Sequence, residues 1–253
     1  MGLRIQTVRH ASLPSTNTEV ARLAIQGAAE GLSVIADEQT AGRGRLQRSW
    51  SSPKGAGLYF SMLLRPQLPI QIWPLITFAA ALATSDALAE ACGLQTDIKW
   101  PNDLLAGERK ICGILSETVE TPQGRAVVVG IGINLTSDAY PAELETVATS
   151  VAEATGELVA KERIVDPLQQ ALSQWYSTLQ ETDGPKRTLE AWTNRSSFAS
   201  GKVVDIINSD ETFRGVTRGL EPDGALRVET EEGIRIVRAG DVVSLRRPFE
   251  RNK

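Results

Sequence analysis

The 253-residue chain has two cysteines, Cys92 and Cys112, and a single histidine, His10. Two cysteines make neither a disulfide framework nor a zinc set. One histidine near the N-terminus counts against a histidine-based catalytic triad and against a His-rich metal site. Any chemistry must therefore rest on Lys, Arg, Asp, Glu, Asn and backbone groups. A long unbroken apolar run is also missing. The most apolar stretch, residues 72–91, is Ala-rich and interrupted by Ser85, Asp86 and Glu90, so it reads as a buried helix rather than a membrane span. Met1 to His10 lacks the apolar segment of a signal peptide. These absences point to a soluble, cytoplasmic protein. The formal net charge of -4 supplies no global field toward nucleic acid, local basic patches aside. What remains is ordinary globular material, 42% hydrophobic and 23% charged, which gives no indication of disorder. It suffices for one large domain, or one domain with a small appendage.

Periodicity gives a mixed order of elements. Residues 15–30 read as a helix, with Val20, Leu23, Ala24 and Ala28 on one face and Thr16 and Glu19 at capping-box spacing. Strands are expected at Leu32 to Ala36 and Leu58 to Leu64. They are followed by a long helix over 72–91, a strand end at Asp97 to Trp100, and apolar strands at Ile111 to Thr118 and Ala126 to Leu135. Helical patterns return at about 141–154 and 161–181. The tail differs. Lys202–Ile207, Thr212–Leu220, Ala225–Thr230, Ile234–Val237 and Val242–Leu245 are short strand-like runs. Turn signals such as Asn208-Ser209-Asp210 and Pro222-Asp223-Gly224 separate them, a spacing that suggests a small β-barrel. At about 50 residues such a unit is marginal alone and should dock on the main domain.

Five segments could carry chemistry. Between Gln39 and Trp50, Gly42, Arg43, Gly44, Arg45 and Arg48 combine glycines that let amides approach an anion with forked donors for phosphate or carboxylate. Trp50 could stack on a base or close an apolar pocket. The same composition also describes a solvated basic loop. Lys99-Trp100-Pro101-Asn102-Asp103 presents an ammonium, an amide and a carboxylate beside a rigid turn, suited to phosphate and Mg²⁺, yet it also describes a plain turn. Lys110 enters an apolar strand next to Cys112 and Gly113, where partial desolvation would strengthen its hold on an anion. Cys112 reads as a small buried hydrophobe. Gly130-Ile131-Gly132-Ile133-Asn134 is a close-packed strand rather than a dinucleotide fingerprint, with Asn134 its one plausible ligand contact. Ser15-Thr16-Asn17 caps a helix and can still face a ligand.

Each piece alone is ambiguous, but their succession is not. STN, QxxGRGRxxRxW, KWPND, KxxGI and GIGIN, in that order, resemble the catalytic domain of the biotin–protein ligase family over about residues 15–135. The β-rich tail resembles that family's C-terminal SH3-like barrel. The resemblance implies an α+β fold: a mixed-sheet catalytic domain of the biotin/lipoate ligase type over 1–197, and a small SH3-like β-barrel over 198–253. It implies ATP and Mg²⁺ as cofactors, biotin as substrate, and a biotin carboxyl carrier protein or domain of a carboxylase as partner. Ser15, Thr16, Asn17, Gln39, Gly42, Arg43, Lys110 and Gly113 match biotin-contacting positions. Arg45, Arg48, Trp50, Asn102 and Asn134 match the nucleotide side, and Asp103 matches the nucleotide and metal side.

The chemistry brings a carboxylate to the α-phosphate of ATP, an anion onto an anion. Arg45, Lys110 and Lys99 are the expected electrostatic catalysts, and Asp103 the candidate Mg²⁺ ligand and base for the acceptor lysine. The 40–57 loop is expected to shield the labile acyl-adenylate. With STN at residue 15 there is no room for the N-terminal helix-turn-helix domain that some members carry, so the resemblance implies a monofunctional ligase that binds neither DNA nor membrane. A homodimer through a sheet-edge strand stays open. The rivals are a lipoate or octanoate ligase of related fold, whose glycine-triplet and histidine motif is missing here, and a non-catalytic sensor or nucleic-acid module. A sensor should have lost Lys110 or part of GRGR, and neither is lost.

Overall fold

The computed structural model describes residues 2–208 and 211–244. Its larger sheet is assembled from β1 (Gln6–His10), β2 (Leu32–Ala36), β3 (Gly57–Leu64), β4 (Asp97–Lys99), β5 (Asp103–Ala106), β6 (Arg109–Thr121) and β7 (Gly124–Asn134). The order across the sheet is β1-β2-β3-β7-β6-β5-β4. Only β1 and β2 run parallel; every other pairing is antiparallel, so the sheet is mixed.

Both faces of the centre are covered, which explains why β3 reads as a continuous apolar run with all eight residues buried. On one face, Leu58, Phe60, Met62, Ile131 and Ile133 pack against α2 (Leu75–Cys92). That helix is backed in turn by α4 (Glu162–Leu179) and α5 (Gly184–Asn194). The α2 segment has the length and hydropathy of a membrane span, but 72% of it is buried within the fold, so it is the core helix. Its end is set by Gly93 at φ 64°, a left-handed cap whose amide returns to the Ala89 carbonyl. On the other face, α1 (Thr16–Ile25) lays Val20 and Ala24 on Val34, Leu63, Ala126 and Val128.

Along β7 the side chains facing α1 run Ala126, Val128, Gly130, Gly132. The sheet is apolar where the helix covers it and bare beyond the helix N-terminus. That step from valine to glycine makes room for the Asn17 amide and the Trp50 indole at the site.

The second unit is a five-stranded antiparallel sheet: β8 (Ser200–Ile207), β9 (Thr212–Leu220), β10 (Leu226–Thr230), β11 (Gly233–Val237) and β12 (Asp241–Ser244), ordered β11-β10-β9-β8-β12. Its inner residues Val204, Ile206, Leu226, Val228 and Val242 merge into the main core. The Trp100 indole donates to the Gly224 carbonyl at 3.0 Å. The docking expected of so small a unit is thus made by apolar burial with one buried hydrogen bond. Leu245, the last residue of the fifth expected strand, and Ser209 and Asp210 of one expected turn lie outside the described residues.

Several sequence expectations need correction. The first helix ends at Ile25 rather than 30. Its expected Thr16/Glu19 capping box does not form: Ser15 is the N-cap without a side-chain bond, and Glu19 pairs with Arg22 at 2.7 Å. The helical pattern at 141–154 resolves into one 3₁₀ turn and the short α3 (Val151–Thr155). Strands β1 and β5 and helix α5 were not anticipated. β1 is a half-exposed edge strand without a clean apolar alternation, and β5 follows directly on a turn signal.

Candidate functional site

The N-terminus of α1, the Gly/Arg loop after β2, the glycines of β6 and β7, and the start of β5 enclose one pocket. Its floor is bare backbone. A Cβ at Gly130 would collide with Asn17 Oδ1, one at Gly132 would lie 2.5 Å from the Trp50 indole nitrogen, and one at Gly113 2.9 Å from the Trp50 ring. The missing side chains thus let the Trp50 indole and the Asn17 amide lie directly on the sheet, where both line the pocket.

One rim is neutral and tightly wired. Gln39 accepts from both the Thr16 amide (2.8 Å) and the Thr16 hydroxyl (3.1 Å), so a loop residue 23 positions away supplies the cap that Ser15 does not. The other end of its amide donates to Ser52 at 2.8 Å. Ser61 joins the Thr16 and Asn17 side chains at 2.7 and 2.6 Å.

The opposite rim is cationic. Lys110 pairs with Asp103 at 2.7 Å and stands 5.3 Å from the Trp50 ring centre. Arg45 donates to Asn102 Oδ1 (3.2 Å) and to the Gly240 carbonyl (3.3 Å). Arg48 pairs with Asp241, which also stands 3.8 Å from Arg45. Between the two arginines, Leu46 (φ 53°) and Gln47 (φ 60°) occupy the left-handed region, at about 1–2 kcal/mol each. This turn lets both guanidiniums meet one carboxylate. Three arginines and a lysine converge on an apolar slot, an arrangement suited to a ligand with a neutral ring at one end and anionic groups at the other.

Of the residues singled out in the sequence, Ser15, Thr16, Asn17, Gln39, Arg43, Arg45, Arg48, Trp50, Asn102, Asp103, Lys110 and Gly113 line this pocket. Three do not. Gly42 lies behind the wall, where a Cβ would meet the Trp50 carbonyl and the Ser52 hydroxyl; its part is to let the loop fold. Lys99 lines an adjoining cleft with Arg48, Asp103 and Asp241, against Val242 and Val243. Burial lowers its ammonium pKa, with Asp103 pulling the other way. Asn134 is buried, and its amide donates to the Thr149 carbonyl at 2.9 Å. It braces the segment whose Val147 and Thr149 bond the Lys110 backbone (2.8 and 2.9 Å).

Asp103, the expected Mg²⁺ ligand, stands in the pocket wall beside Lys110. Its carboxylate is engaged by Lys110, and among the described residues no three His, Cys, Asp or Glu side chains converge. Asp241 and Glu117 were missed. The first opens β12, far along the chain from the arginines that it meets, and the second sits within an apolar strand pattern.

The brace behind Lys110 has a pH signature. Ser150 and Glu153 form a full capping box on α3. The Tyr140 hydroxyl, above all, holds the Glu153 carboxyl below its ordinary value of 4.5. A lowered folded value means that the stabilisation is fully present above about pH 4.5 and is lost as pH falls through the lowered value. Glu153→Gln is expected to cost about 1 kcal/mol at pH 7 in urea denaturation, and the gap from wild type should close in acid. A constant gap across that range would remove the ionic part of this account.

Comparison with known proteins agrees with this geometry. Residues 10–134 match the biotin/lipoate A/B protein ligase family, and residues 199–244 match the biotin protein ligase C terminal domain. A bifunctional ligase/repressor BirA of Bacillus spizizenii is 37% identical over 233 residues, covering 91% of this chain and 71% of that protein. A biotin--[acetyl-CoA-carboxylase] ligase of Paracoccus denitrificans is 36% identical over 236 residues, covering 90% of this chain and 96% of that one. The solved structure of the Aquifex aeolicus biotin protein ligase in complex with biotin and ATP superposes with a TM-score of 0.83 at 28% identity, covering 97% of this chain and all of that one.

Proposed function

The chain belongs to the biotin/lipoate A/B protein ligase family, and from that premise we infer that it is a biotin–protein ligase. It activates biotin with ATP and transfers it to a lysine of a biotin carboxyl carrier protein. The observation that carries this reading is the polarity of the pocket: a glycine floor and neutral hydrogen-bonding rim for a small uncharged ring system, facing Lys110, Arg43, Arg45 and Arg48 for a carboxylate and phosphates.

In the first step a biotin carboxylate oxygen bonds to the α-phosphorus. The bond from that phosphorus to the β-phosphate oxygen breaks, and pyrophosphate leaves. Two anions at 4 Å repel by about 4 kcal/mol at an effective dielectric of 20. The fixed Lys110 and Arg45 charges offset that repulsion without reorganisation. In our reading Lys110 holds the biotin carboxylate and Arg45 the α-phosphate. Arg48 and Lys99 flank the departing pyrophosphate from the adjoining cleft. Mg²⁺ would enter with the nucleotide, with Asp103 the candidate residue to hold it, and would neutralise charge on the leaving pyrophosphate. In the second step the neutral carrier lysine amine attacks the acyl carbonyl, the bond from that carbon to the phosphate oxygen breaks, AMP leaves, and the amine proton passes to Asp103, the candidate base. Trp50 and the 40–57 loop exclude water from the mixed anhydride meanwhile. Asn102 acts through its neighbour: it accepts from Arg45 and donates to the Ile114 carbonyl at 2.6 Å, so it aims the guanidinium.

Incubation with ATP, Mg²⁺ and each of biotin, lipoate and octanoate, followed by pyrophosphate release, tests the substrate. Release is expected with biotin alone. Release only with lipoate or octanoate would move the chain to the sister activity, and biotin binding without release would make it a sensor.

A further inference from the structure

Glu117 is not on the pocket wall, yet it touches two residues that are. On β6 it follows Gly113 and Leu115 on the face turned to α1. Its Oε2 accepts from Asn17 Nδ2 at 2.8 Å and from Arg43 Nη2 at 2.5 Å. Asn17 belongs to the first turn of α1, and Arg43 to the loop that arches over the pocket. One carboxylate oxygen thus joins the fixed wall to the loop.

We propose that Glu117 is a positioning residue for biotin, orienting the Asn17 amide and latching the Arg43 loop across the pocket. The inference rests on reading this pocket as the biotin site. The argument begins with the amide. Asn17 is 4% exposed, and its Nδ2 also donates to the Leu115 carbonyl at 3.2 Å, while Oδ1 accepts from Ser61 at 2.6 Å. Both Nδ2 hydrogens therefore go to acceptors that cannot donate, and the amide cannot turn over. Oδ1 is held over the Gly130 backbone, with a lone pair left for a ligand N–H. A carboxylate enforces that polarity. A glutamine in its place could donate as well as accept, and would tolerate the flipped amide.

The second part concerns the loop. The Arg43 and Glu117 side chains are 45% and 34% exposed, so the pair lies at the pocket mouth, where it can open and close. It forms a charge-assisted bond that holds only when the loop lies down. The N-terminus of α1 adds a favourable field for the carboxylate. Ligand escape then requires breaking this contact, so its loss should appear in dissociation more than in chemistry.

Glu117→Gln preserves size and packing. The variant and wild type are compared in steady-state pyrophosphate release, in direct biotin binding by calorimetry, and in release of preformed biotinyl-adenylate. The expected result is a biotin KM and Kd raised about ten-fold and a faster adenylate release, as loss of one charge-assisted bond implies. The ATP KM, kcat and Tm should stay near wild type. The Glu117→Gln effect should be smaller in an Arg43→Gln background than in wild type, because the two share one contact. Unchanged biotin KM and release would overturn the proposal. So would an equal rise in both KM values accompanied by a fall in Tm, which is the mark of general destabilisation. Wild-type protein that fails to bind biotin in the calorimeter would instead sink the pocket assignment itself, and this inference with it.

Discussion

Lys110→Ala is expected to lower the rate of pyrophosphate release with biotin by about a hundred- to a thousand-fold, the scale on which a fixed transition-state donor is lost. The effect should exceed that of a simple missing contact because of what the lysine leaves behind. Asp103 is paired to Lys110 at 2.7 Å in the pocket wall. Without the ammonium, that carboxylate faces the incoming biotin carboxylate and the nucleotide phosphates uncompensated. The variant therefore loses one attraction and gains one repulsion. A double variant, Lys110→Ala with Asp103→Asn, removes the second part and should recover about ten-fold of the lost rate, though not the wild-type value. Single-turnover release measured with saturating biotin separates the chemical step from binding. A Lys110→Ala enzyme within about five-fold of wild type would contradict the electrostatic role on that same scale. A double variant no faster than the single would show that Asp103 is screened.

Gly130→Ala should damage both stability and biotin binding. The added methyl group would collide with Asn17 Oδ1. Neither partner can yield easily. Gly130 lies in the buried middle of β7, paired to Ser61 on β3 and Leu115 on β6. Asn17 is held by Ser61, Leu115 and Glu117. Overpacking of this kind costs about 1–3 kcal/mol. We expect a loss of about 2 kcal/mol in urea denaturation, with the slope unchanged. We also expect a biotin KM raised by more than an order of magnitude, since relief of the clash must displace the amide that faces the ligand. The contrast is Gly107→Ala on the β5–β6 turn, where no atom lies within 4 Å of the added methyl and the φ of 61° supplies the only strain. That variant should keep its biotin KM. A Gly130→Ala protein with wild-type biotin affinity would mean that the floor does not need to be bare.

How far the site was legible depends on the kind of information each residue carries. Arg45, Lys110 and Trp50 stand in motifs whose order along the chain is distinctive, and they do converge on one pocket. Gly130 and Gly132 could be recognised as places of close approach from their setting in a β-branched run, but not what approaches them. Gln39 looked like a ligand contact, and its amide turns out to cap α1 from a distance. Lys99 and Lys110 were both expected to act as electrostatic catalysts. The strand register puts Lys110 on the pocket side, and Lys99, paired with Asp103 across β4–β5, beside β12. Asn134 ends its strand as expected, but the 147–149 segment folds over it and takes its amide.

The amino-acid order by itself determined most of the element types, the mixed α and β main domain followed by a small unit of short strands, and the family, because these follow from local periodicity, turn chemistry and motif succession. Only the tertiary structure decided which charges meet. The pairing of Arg48 with Asp241, of Arg43 with Glu117, and of Lys110 with Asp103 joins residues brought together by strand register and by docking of the second sheet. The physical reason is one of range. Periodicity and turn propensity act over a few residues, whereas a Coulomb contact is set by separation in space, which the packed core and sheet register fix across the whole chain.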